Sequence, residues 1–332
     1  MIKFPIIKGS SKKVRNKITE EERWDNRGDN GNGKTNINYR RNGFVSKFAA
    51  EYFVKRGYEV SVLNRGSRPQ VSGVEWICAD RNQLNGVLQG KNFDHVLDIT
   101  AYTKEDVKNL LAELKGFSTY ILISSSAVYP ETLPQPFSEE QPVGYNSIWR
   151  KYGSDKIEAE EYLMEKVPDA YVIRPPYLYG SMNDVYREAF VFDCALQHRK
   201  FYMPGDGSQK LQFFHVEDLC RLMEAILEKR PEEHIFNVGN EAIDIRTFVE
   251  LCYRAAGEPL RVRLIGDQFC QTDYFCFPAY EYVLDVKKQK ELLPDVKDFY
   301  EGLQEAFAWY CENKEEVERR EYIEYIENEM RG

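Results

Sequence analysis

The sequence predicts an α/β fold in which a doubly wound parallel sheet is followed by a smaller, mixed α/β lobe. Apolar runs of strand length alternate with amphipathic runs of helix length from Phe44 to Arg174. Strands separated by helices of about 10–15 residues indicate βαβ units and a parallel sheet. Beyond Arg174, prolines and glycines divide the chain into shorter elements. We therefore expect the sheet first, and then a lobe that closes over the ends of its strands.

The elements follow from the spacing of the apolar residues. The first helix is predicted from Phe44, because apolar residues recur there at helical spacing until Gly57, which is placed as a C-terminal cap. Strands are predicted at 58–63, 74–79, 95–99, 119–124 and 170–173, with helices at 104–114 and 148–165 between them. The mixed lobe is predicted to hold strands at 213–216 and 234–238 and helices at 245–256 and 300–312. The charged tail is predicted to form a solvated terminal helix.

Composition narrows the class of protein. The 332 residues contain no apolar run long enough to span a membrane, so we expect no membrane contact and a cytoplasmic protein. The net charge of −9 argues against a general nucleic-acid binder. Seven scattered cysteines without a CxxC pair, and four histidines without ligand spacing, predict reduced thiols and no metal site.

Three residues carry the chemistry of the predicted site: Ser125, Tyr152 and Lys156. Ser125 lies in the run Ser-Ser-Ser-Ala-Val-Tyr-Pro that ends an apolar strand, and Tyr152 and Lys156 are four residues apart. A tyrosine and a lysine at this spacing share one helix face, where an ammonium group favours the phenolate. A YxxxK pattern alone is common on exposed helices, but the preceding strand and serines favour proton exchange with an alcohol or carbonyl.

Several spaced motifs resemble one known family. They are Asp80-Arg81, the serine run, Tyr-Gly-Ser-Asp-Lys at 152–156, Val-Ile-Arg-Pro at 172–175, Pro-Gly-Asp-Gly at 204–207, Phe-Phe-His-Val-Glu-Asp-Leu at 213–219 and Phe-Asn-Val-Gly at 236–239. From about 43 to 313 the chain resembles the extended short-chain dehydrogenase/reductase superfamily, in its NAD-dependent epimerase/dehydratase group. The resemblance implies a Rossmann-type domain that binds NAD or NADP, with Tyr152 as the acid/base. It also implies that Ser125 is the catalytic serine, with Ser126 as the alternative, and that Lys156 lowers the pKa of Tyr152 and holds the nicotinamide ribose.

The resemblance also implies a set of cofactor contacts. Asn64 and Arg65 end the second strand, where a guanidinium suits the 2′-phosphate of NADP, so NADP is favoured over NAD. Arg65 as a solvated loop charge is the alternative. Asp80 is expected at the adenine, unless it only caps a turn. The remaining expected contacts are Gly43, Arg81, Thr100, Ala101 and Pro175, together with Tyr152 and Lys156.

Two departures from the family bear on the substrate. Pro175 follows the strand-six arginine where the family often has asparagine, and Leu211 stands where it often has a diphosphate-binding arginine. Arg187 or Lys210 is the expected substitute, and Ser126 is a further substrate contact. The departures resemble those of the atypical branch of the family, which includes plastid proteins reported as RNA-associated.

The functional expectation is therefore an NAD(P)-dependent epimerase, dehydratase or reductase acting on a nucleotide sugar or a sugar-like substrate. The alternative is a non-catalytic member of the family that binds RNA or a protein partner. The intact serine, tyrosine and lysine favour the enzyme, and the acidic charge argues against RNA. The sequence leaves open whether the protein forms a homodimer.

Residues 1–42 depart from the rest of the chain. They hold eleven Lys/Arg against five Asp/Glu, and an apolar strand leading into the family's glycine-rich loop is absent upstream of Gly43. Read one base later, codons for residues 36–42 permit an apolar strand ending in Gly-Gly-Thr, so a frameshift is one interpretation and a divergent segment the other. The Walker A pattern at 28–35 has neither the strand nor the helix that a P-loop needs.

The predicted divisions are 1–42, with the first strand missing or altered, then 43–174 as the Rossmann domain, 175–313 as the substrate lobe interleaved with the last sheet strands, and 314–332 as the charged helix.

Overall fold

The computed structural model describes residues 3–7, as backbone, and residues 43–330. Its strands are β1 (Lys3–Ile7), β2 (Glu59–Asn64), β3 (Val74–Cys78), β4 (His95–Asp98), β5 (Thr119–Ile123), β6 (Tyr171–Arg174), β7 (Tyr177–Tyr179), β8 (Phe201–Pro204), β9 (Lys210–Leu211), β10 (Phe213–His215), β11 (Ile235–Asn237), β12 (Ile243–Asp244) and β13 (Val262–Ile265). Its helices are α1 (Gly43–Lys55), α2 (Lys104–Glu113), α3 (Arg150–Lys166), α4 (Glu188–Leu196), α5 (Val216–Lys229), α6 (Ile245–Ala255), α7 (Gln271–Tyr274), α8 (Lys287–Leu292), α9 (Phe299–Glu312) and α10 (Tyr322–Glu329).

The main sheet has seven parallel strands in the order β3-β2-β1-β4-β5-β6-β11. The chain runs outward from β1 in one direction and then returns to build the other half from β4. The order reverses between β1 and β4, and ligands of such sheets bind outside the carboxyl ends of the strands at this switch point. The predicted Rossmann-type doubly wound sheet is confirmed.

The central strand comes from an unexpected part of the chain. Lys3–Ile7 pairs in parallel with Glu59–Leu63 of β2, and Ile6 pairs with Leu97 of β4. The first strand was expected to be missing or altered, and this segment, well before Gly43 in the chain, fills its position. The frameshift interpretation and the Walker A pattern rest mainly on residues that lie outside those the structure describes, so the interpretation stays a prediction.

Helices cover both faces of this sheet. On one face α1 packs beside α5, and buried Phe44, Phe53 and Leu222 belong to the same apolar cluster. On the other face α2 packs beside α3, through residues such as Leu110 and Leu163. Fully burying one such side chain contributes about 1.5–3 kcal/mol. The two layers therefore fix α3, and with it the predicted catalytic residues Tyr152 and Lys156, against β4 and β5.

A second apolar cluster builds the smaller lobe. It is rich in aromatic rings, and Phe213 stacks on Phe248 with ring centroids 5.0 Å apart, while Phe299 lies 5.0 Å from Phe213. Short paired strands surround it: β7 with β10 and β8 with β13 in parallel, and β9 with β12 antiparallel. From within this lobe, β11 returns to the edge of the main sheet.

The charged tail is not the solvated helix that was predicted. Val317, Tyr322, Ile326 and Met330 are all less than a tenth exposed. A short 3-10 helix at Lys314–Glu316 leads through an extended segment into α10, whose apolar face packs against α7. The expectation was wrong because the apolar residues of this tail pack into the second apolar cluster instead of facing solvent.

Within the described ranges, we find no helix whose length and apolar character would let it cross a membrane. All seven cysteines are free thiols.

Candidate active site

A cavity of about 560 Å³ opens where β4, β5 and β6 end. Its wall includes the predicted catalytic residues Ser125, Tyr152 and Lys156, and also Arg187 from the smaller lobe. The structure thus brings together residues that are separated by up to 62 positions in the chain.

Ser125 and Tyr152 form a hydroxyl pair in this cavity. Ser125 precedes a 3-10 helix at Ser126–Val128, and its Oγ accepts a hydrogen bond of 3.2 Å from the backbone N–H of Ala127. Tyr152 lies in the first turn of α3, where the Ser125 side chain acts to lower the pKa of its hydroxyl, and both residues line the cavity. Gly153 permits this approach, because a Cβ there would lie 2.4 Å from the carbonyl oxygen of Ala127. The predicted juxtaposition of the two side chains is therefore present.

Lys156 is buried one turn further along α3. Its Nζ donates hydrogen bonds to the carbonyl oxygens of Ala101 (2.6 Å) and Ile123 (2.8 Å), and it lies 4.9 Å from the ring centroid of Tyr102. Burial lowers the pKa of Lys156 to about 8, although Asp98 and Glu160 act to raise it. The lysine therefore ties the ends of β4 and β5 to α3, and its charge titrates close to neutral pH.

The electrostatics of Tyr152 differ from the expectation. Burial raises the pKa of Tyr152, while the hydrogen bond from Ser125 and the positive charge of Arg187 act to lower it. Lys156 donates to two backbone carbonyls, and its expected lowering of the pKa of Tyr152 stays a prediction. Tyr152 is thus protonated at neutral pH, with a cation and a hydroxyl placed to favour its phenolate.

Arg81 is buried in an ion cluster below the sheet edge. Its Nη1 and Nη2 donate to both carboxylate oxygens of Asp98 (3.0 and 2.9 Å), and Nη2 also donates to the carbonyl of Asp106 (3.0 Å). Thr100 accepts from Nη1 at 3.4 Å, and Tyr120 donates to Asp98 at 2.7 Å. Neither Arg81 nor Thr100 is among the residues that line the cavity. Asp98 and Asp106 engage the guanidinium of Arg81, and its expected contact with the cofactor stays a prediction.

A second buried cluster holds the serine run. Arg174 forms a paired hydrogen bond to Glu160 of α3, at 3.2 Å from Nε and 2.6 Å from Nη2, and Nη1 donates to Tyr129 (2.8 Å). Ser124 donates to the same carboxylate, and Tyr129 donates to Asn237 (2.8 Å). The motifs around Arg174 and Asn237 therefore stabilise the segment of the serine run. Glu160, which sequence reasoning missed, connects them to α3, the helix that carries Tyr152.

The residues expected on the adenine side lie at the carboxyl ends of β2 and β3. Arg65 and Asp80 pair with each other at 3.0 Å, and each side chain is one-third exposed. The Asn64 amide donates to Gln70 (2.8 Å), and its oxygen accepts the N–H of Gly66 (2.8 Å), so Asn64 shapes the loop after β2.

Sequence reasoning missed one cation on this side. Arg68 lies beside the start of α1, where a Cβ on Gly43 would be 3.2 Å from its Nη1. The same Nη1 donates to buried Asp184 at 2.8 Å, and Nη2 lies 3.8 Å from Glu318. Arg68 thereby connects the loop after β2 to the smaller lobe, a link between segments 116 or more residues apart that no local pattern reveals.

The expected substrate residues divide into two groups. Ser126 and Arg187 line the cavity, and the N–H of Ser126 donates at 3.0 Å to the carbonyl of Pro175, an expected cofactor contact that also lines it. Arg187 donates to the carbonyl of Leu178 (3.0 Å) and lies over the ring of Tyr177. Lys210 does not reach the cavity, because it is directed to Asp244 at 3.5 Å. Its expected role as the substitute for the diphosphate-binding arginine stays a prediction.

The C-terminal segment supplies a wall that the sequence did not predict. Residues 318–322 line the cavity, and the N–H of Glu318 donates to the carbonyl of Asp184 at 2.9 Å. Arg319 anchors this segment through Asp193 (3.2 Å) and Tyr310 (3.2 Å). The sequence showed the apolar periodicity of the tail. It could not show where the tail packs, because that depends on contacts between residues more than 120 positions apart.

One cluster outside the cavity has the composition of a metal site. His215, Glu217 and Glu305 bring ligand atoms within 4.8 Å of one another. Lys297 Nζ donates to both carboxylates, at 2.5 and 2.7 Å. An ammonium group therefore already occupies the space between the two carboxylates and offsets one of their two charges.

Comparison with known proteins gives consistent results. The model of the NAD dependent epimerase/dehydratase family matches residues 41–239. The chloroplast stem-loop binding protein of 41 kDa b of Arabidopsis thaliana is 28% identical over 291 residues, which cover 80% of this chain and 76% of that protein. The structure of UDP-glucose 4-epimerase from Thermotoga maritima with UDP-glucose superposes with a TM-score of 0.68 at 18% identity, covering 82% of this chain and 97% of that one. The dTDP-glucose 4,6-dehydratase of Bacillus anthracis in complex with NAD gives 0.65 at 20% identity, covering 82% and 95%. These structural similarities establish the shared fold.

Proposed function

Because this chain belongs to the NAD-dependent epimerase/dehydratase family, we propose that it is an NAD(P)-dependent epimerase, dehydratase or reductase acting on a nucleotide sugar or sugar-like substrate. The observation that carries the proposal is the hydroxyl pair of Ser125 and Tyr152, one helical turn from Lys156, in the wall of a cavity at the sheet's carboxyl edge. This set of groups matches the proton transfer that alcohol–carbonyl interconversion needs.

Tyr152 is the proposed acid and base. Burial keeps it protonated, so it can donate a proton to a substrate carbonyl oxygen. The hydrogen bond from Ser125 and the charge of Arg187 then stabilise the phenolate, which can accept a proton in the reverse direction. Ser125 also positions the substrate oxygen, because its Oγ is itself fixed by the N–H of Ala127.

The described residues fit a nicotinamide dinucleotide. Gly43 leaves room that a Cβ would fill beside Arg68, and Arg65 and Asp80 offer polar groups at the ends of β2 and β3. The proposed contacts are Lys156 to the nicotinamide ribose, Asp80 to the adenine, and Asn64, Ala101 and Pro175 along the crevice. When bound, this cofactor would exchange a hydride with the substrate carbon. The protein's own groups would supply the proton and hold the substrate.

NADP is proposed over NAD because Arg65 is a cation at the end of β2 that is one-third exposed. Arg65 pairs with Asp80 at the carboxyl end of β2. A bound 2′-phosphate would compete with the Asp80 carboxylate for the Arg65 guanidinium. The test is the ratio of the Kd values for NADP and NAD in the wild type and in Arg65→Ala. We expect the ratio to shift toward NAD, and an unchanged ratio would remove Arg65 from this role.

The test of the catalytic proposal is Tyr152→Phe. Loss of the hydroxyl should lower kcat by about 10²–10⁴-fold, the usual contribution of a positioned acid/base, while cofactor affinity stays close to that of the wild type. Turnover is measured by product analysis with UDP-glucose and dTDP-glucose in the presence of NAD or NADP.

Tyr162→Phe is the matched control, since Tyr162 lies on the same helix away from the cavity. Equal turnover by wild type and Tyr152→Phe would exclude Tyr152 from the mechanism.

A second candidate function is RNA binding without catalysis. It is favoured by the name of the Arabidopsis relative, a stem-loop binding protein that is 28% identical to this chain. The net charge of −9 opposes it, since non-specific RNA affinity comes mainly from cationic groups. Titration with a labelled RNA stem-loop at two salt concentrations distinguishes the two: salt-sensitive binding together with no nucleotide-sugar turnover would favour this second candidate.

A further inference from the structure

An ion pair between the sheet domain and the smaller lobe lies beside the start of α1. Because α1 connects parallel strands, its first residue, Gly43, lies at the carboxyl edge of the sheet. A Cβ on Gly43 would be 3.2 Å from Nη1 of Arg68 and 3.7 Å from the carboxylate of Asp184. The same Nη1 donates to Asp184 at 2.8 Å. The pair therefore lies where the phosphates of a dinucleotide bind in doubly wound sheets.

The two partners of this ion pair differ in burial. The side chain of Arg68 is 52% exposed, whereas that of Asp184 is 6% exposed. Asp184 lines the cavity, and its backbone carbonyl accepts the N–H of Glu318 at 2.9 Å. Asp184 is thus held in place by the smaller lobe, while Arg68 lies on an exposed loop and can turn to another anion.

A second carboxylate approaches the same guanidinium. Nη2 of Arg68 lies 3.8 Å from Glu318, whose side chain is 55% exposed. Two acids therefore share one guanidinium beside Gly43. A pyrophosphate carries two negative charges and can accept two parallel hydrogen bonds from a single arginine. It would therefore compete well with both carboxylates for Arg68.

We propose that Arg68 binds the pyrophosphate of the dinucleotide and that Asp184 engages Arg68 until the cofactor arrives. This inference rests on the proposed function and adds a cofactor-binding residue to it. The ion pair then acts as an autoinhibitory contact, because the apparent affinity falls with the fraction of molecules in which Arg68 is engaged. Arg65, in the same loop, stays the proposed contact of the 2′-phosphate.

The two partners should have opposite effects on cofactor binding. Calorimetry measures the Kd values of NAD and NADP for the full chain as wild type, Arg68→Gln, Asp184→Asn and the double variant. Arg68→Gln should weaken both by about 10-fold, the loss of one charge-assisted hydrogen bond. Asp184→Asn should strengthen both by up to about 5-fold, because the partly exposed ion pair no longer competes. In the double variant this gain should shrink, since no guanidinium is left to release.

Lys47→Gln is the matched control. Lys47 lies one turn further along α1 and pairs with Glu316 at 3.5 Å, so it also joins α1 to the C-terminal segment. Its loss should change neither Kd by more than about 2-fold. If the Arg68–Asp184 pair were only structural, Arg68→Gln and Asp184→Asn would weaken binding alike.

Glu318→Gln provides a second test on an exposed side chain that the fold does not depend on. It should strengthen binding of both dinucleotides by about 2-fold, the effect of removing a weak surface contact. Unchanged or weaker binding by this variant would overturn the proposal even if Asp184→Asn is unstable.

Three further results would overturn the proposal. They are weaker binding by both Arg68→Gln and Asp184→Asn, equal effects of Arg68→Gln and Lys47→Gln, and a changed ratio of the NADP and NAD Kd values in Arg68→Gln, which would assign Arg68 to the 2′-phosphate. A wild type that binds neither dinucleotide would also overturn it. Opposite shifts without turnover of any nucleotide sugar would contradict the proposed function and leave the exchange standing, whereas turnover without these shifts would do the reverse.

Discussion

Replacing Arg81 by methionine separates two explanations of the Asp80-Arg81 motif. The resemblance to the family implied that Arg81 contacts the cofactor, whereas the structure buries it, at 6% exposure, with both terminal guanidinium nitrogens donating to fully buried Asp98. Methionine keeps the length of the aliphatic stem and leaves the Asp98 carboxylate without its cation. The substitution should therefore unfold the protein more easily rather than weaken its cofactor binding.

The size of the effect follows from burial. Removing one member of a buried ion pair costs about 3–5 kcal/mol, because the remaining charge is left uncompensated. Arg65→Met is the matched control: its ion pair with Asp80 is also 3.0 Å long, but both side chains are one-third exposed. Such surface pairs contribute about 0–1 kcal/mol. The two arginine-to-methionine changes should thus differ by several kcal/mol in the free energy of unfolding.

Urea unfolding followed by circular dichroism measures this difference. With a slope of about 3 kcal/mol/M, a loss of 3–5 kcal/mol lowers the unfolding midpoint by about 1–2 M, and the control should move it by less than about 0.3 M. Adding Asp98→Asn to Arg81→Met should cost less than the sum of the single changes, since the uncompensated charge is then removed. The reasoning is refuted if Arg81→Met unfolds at the same urea concentration as Arg65→Met and instead weakens binding of NADP.

Two further outcomes concern the catalytic helix. Burial lowers the pKa of Lys156 from its ordinary value of 10.5 to about 8 in the folded protein, so the folded state releases this proton at a lower pH than the unfolded state does. Its free energy of unfolding should rise by up to about 3 kcal/mol from pH 8 to 10.5 relative to Lys156→Met, and a pH-independent difference between the two would contradict the shift. Gly153→Ala should displace Tyr152, because the new Cβ meets the carbonyl of Ala127 at 2.4 Å, and lower kcat by about 10²-fold. Gly116→Ala, which has open space around its Cβ, is the control, and equal kcat values for the two variants would exclude the displacement.

The parts of the fold that were predictable from sequence are those set by local periodicity. The helix predicted from Phe44 is found at Gly43–Lys55, and the helix predicted at 245–256 is found at Ile245–Ala255. The central strand was missed because Lys3–Ile7 is short and carries Pro5, which donates no hydrogen bond and argues against a central strand. Its place depends on pairing with β2 and β4, more than 50 residues away.

The site divides in the same way. Ser125, Tyr152 and Lys156 were predictable because a helix repeat and a strand end fix their spacing. The groups that shift the pKa values of Tyr152 and Lys156 were not predictable. Lys156 bonds carbonyls 55 and 33 residues distant, and Arg187 reaches Tyr152 from the other lobe. For the same reason the sequence could suggest that Lys156 acts on Tyr152, but could not reveal that two backbone oxygens already engage it.

The fluorescence of Trp149 can report binding in the cavity. It is one of four tryptophans in the chain, is 9% exposed, and lies in the cavity wall three residues before Tyr152. Trp76, by contrast, is 47% exposed at the edge of the sheet. Indole emission overlaps the absorption of a reduced nicotinamide, so a cofactor that enters the cavity would quench Trp149 by energy transfer. Occupancy of the site can therefore be titrated by intrinsic fluorescence, without a label and before any substrate is known.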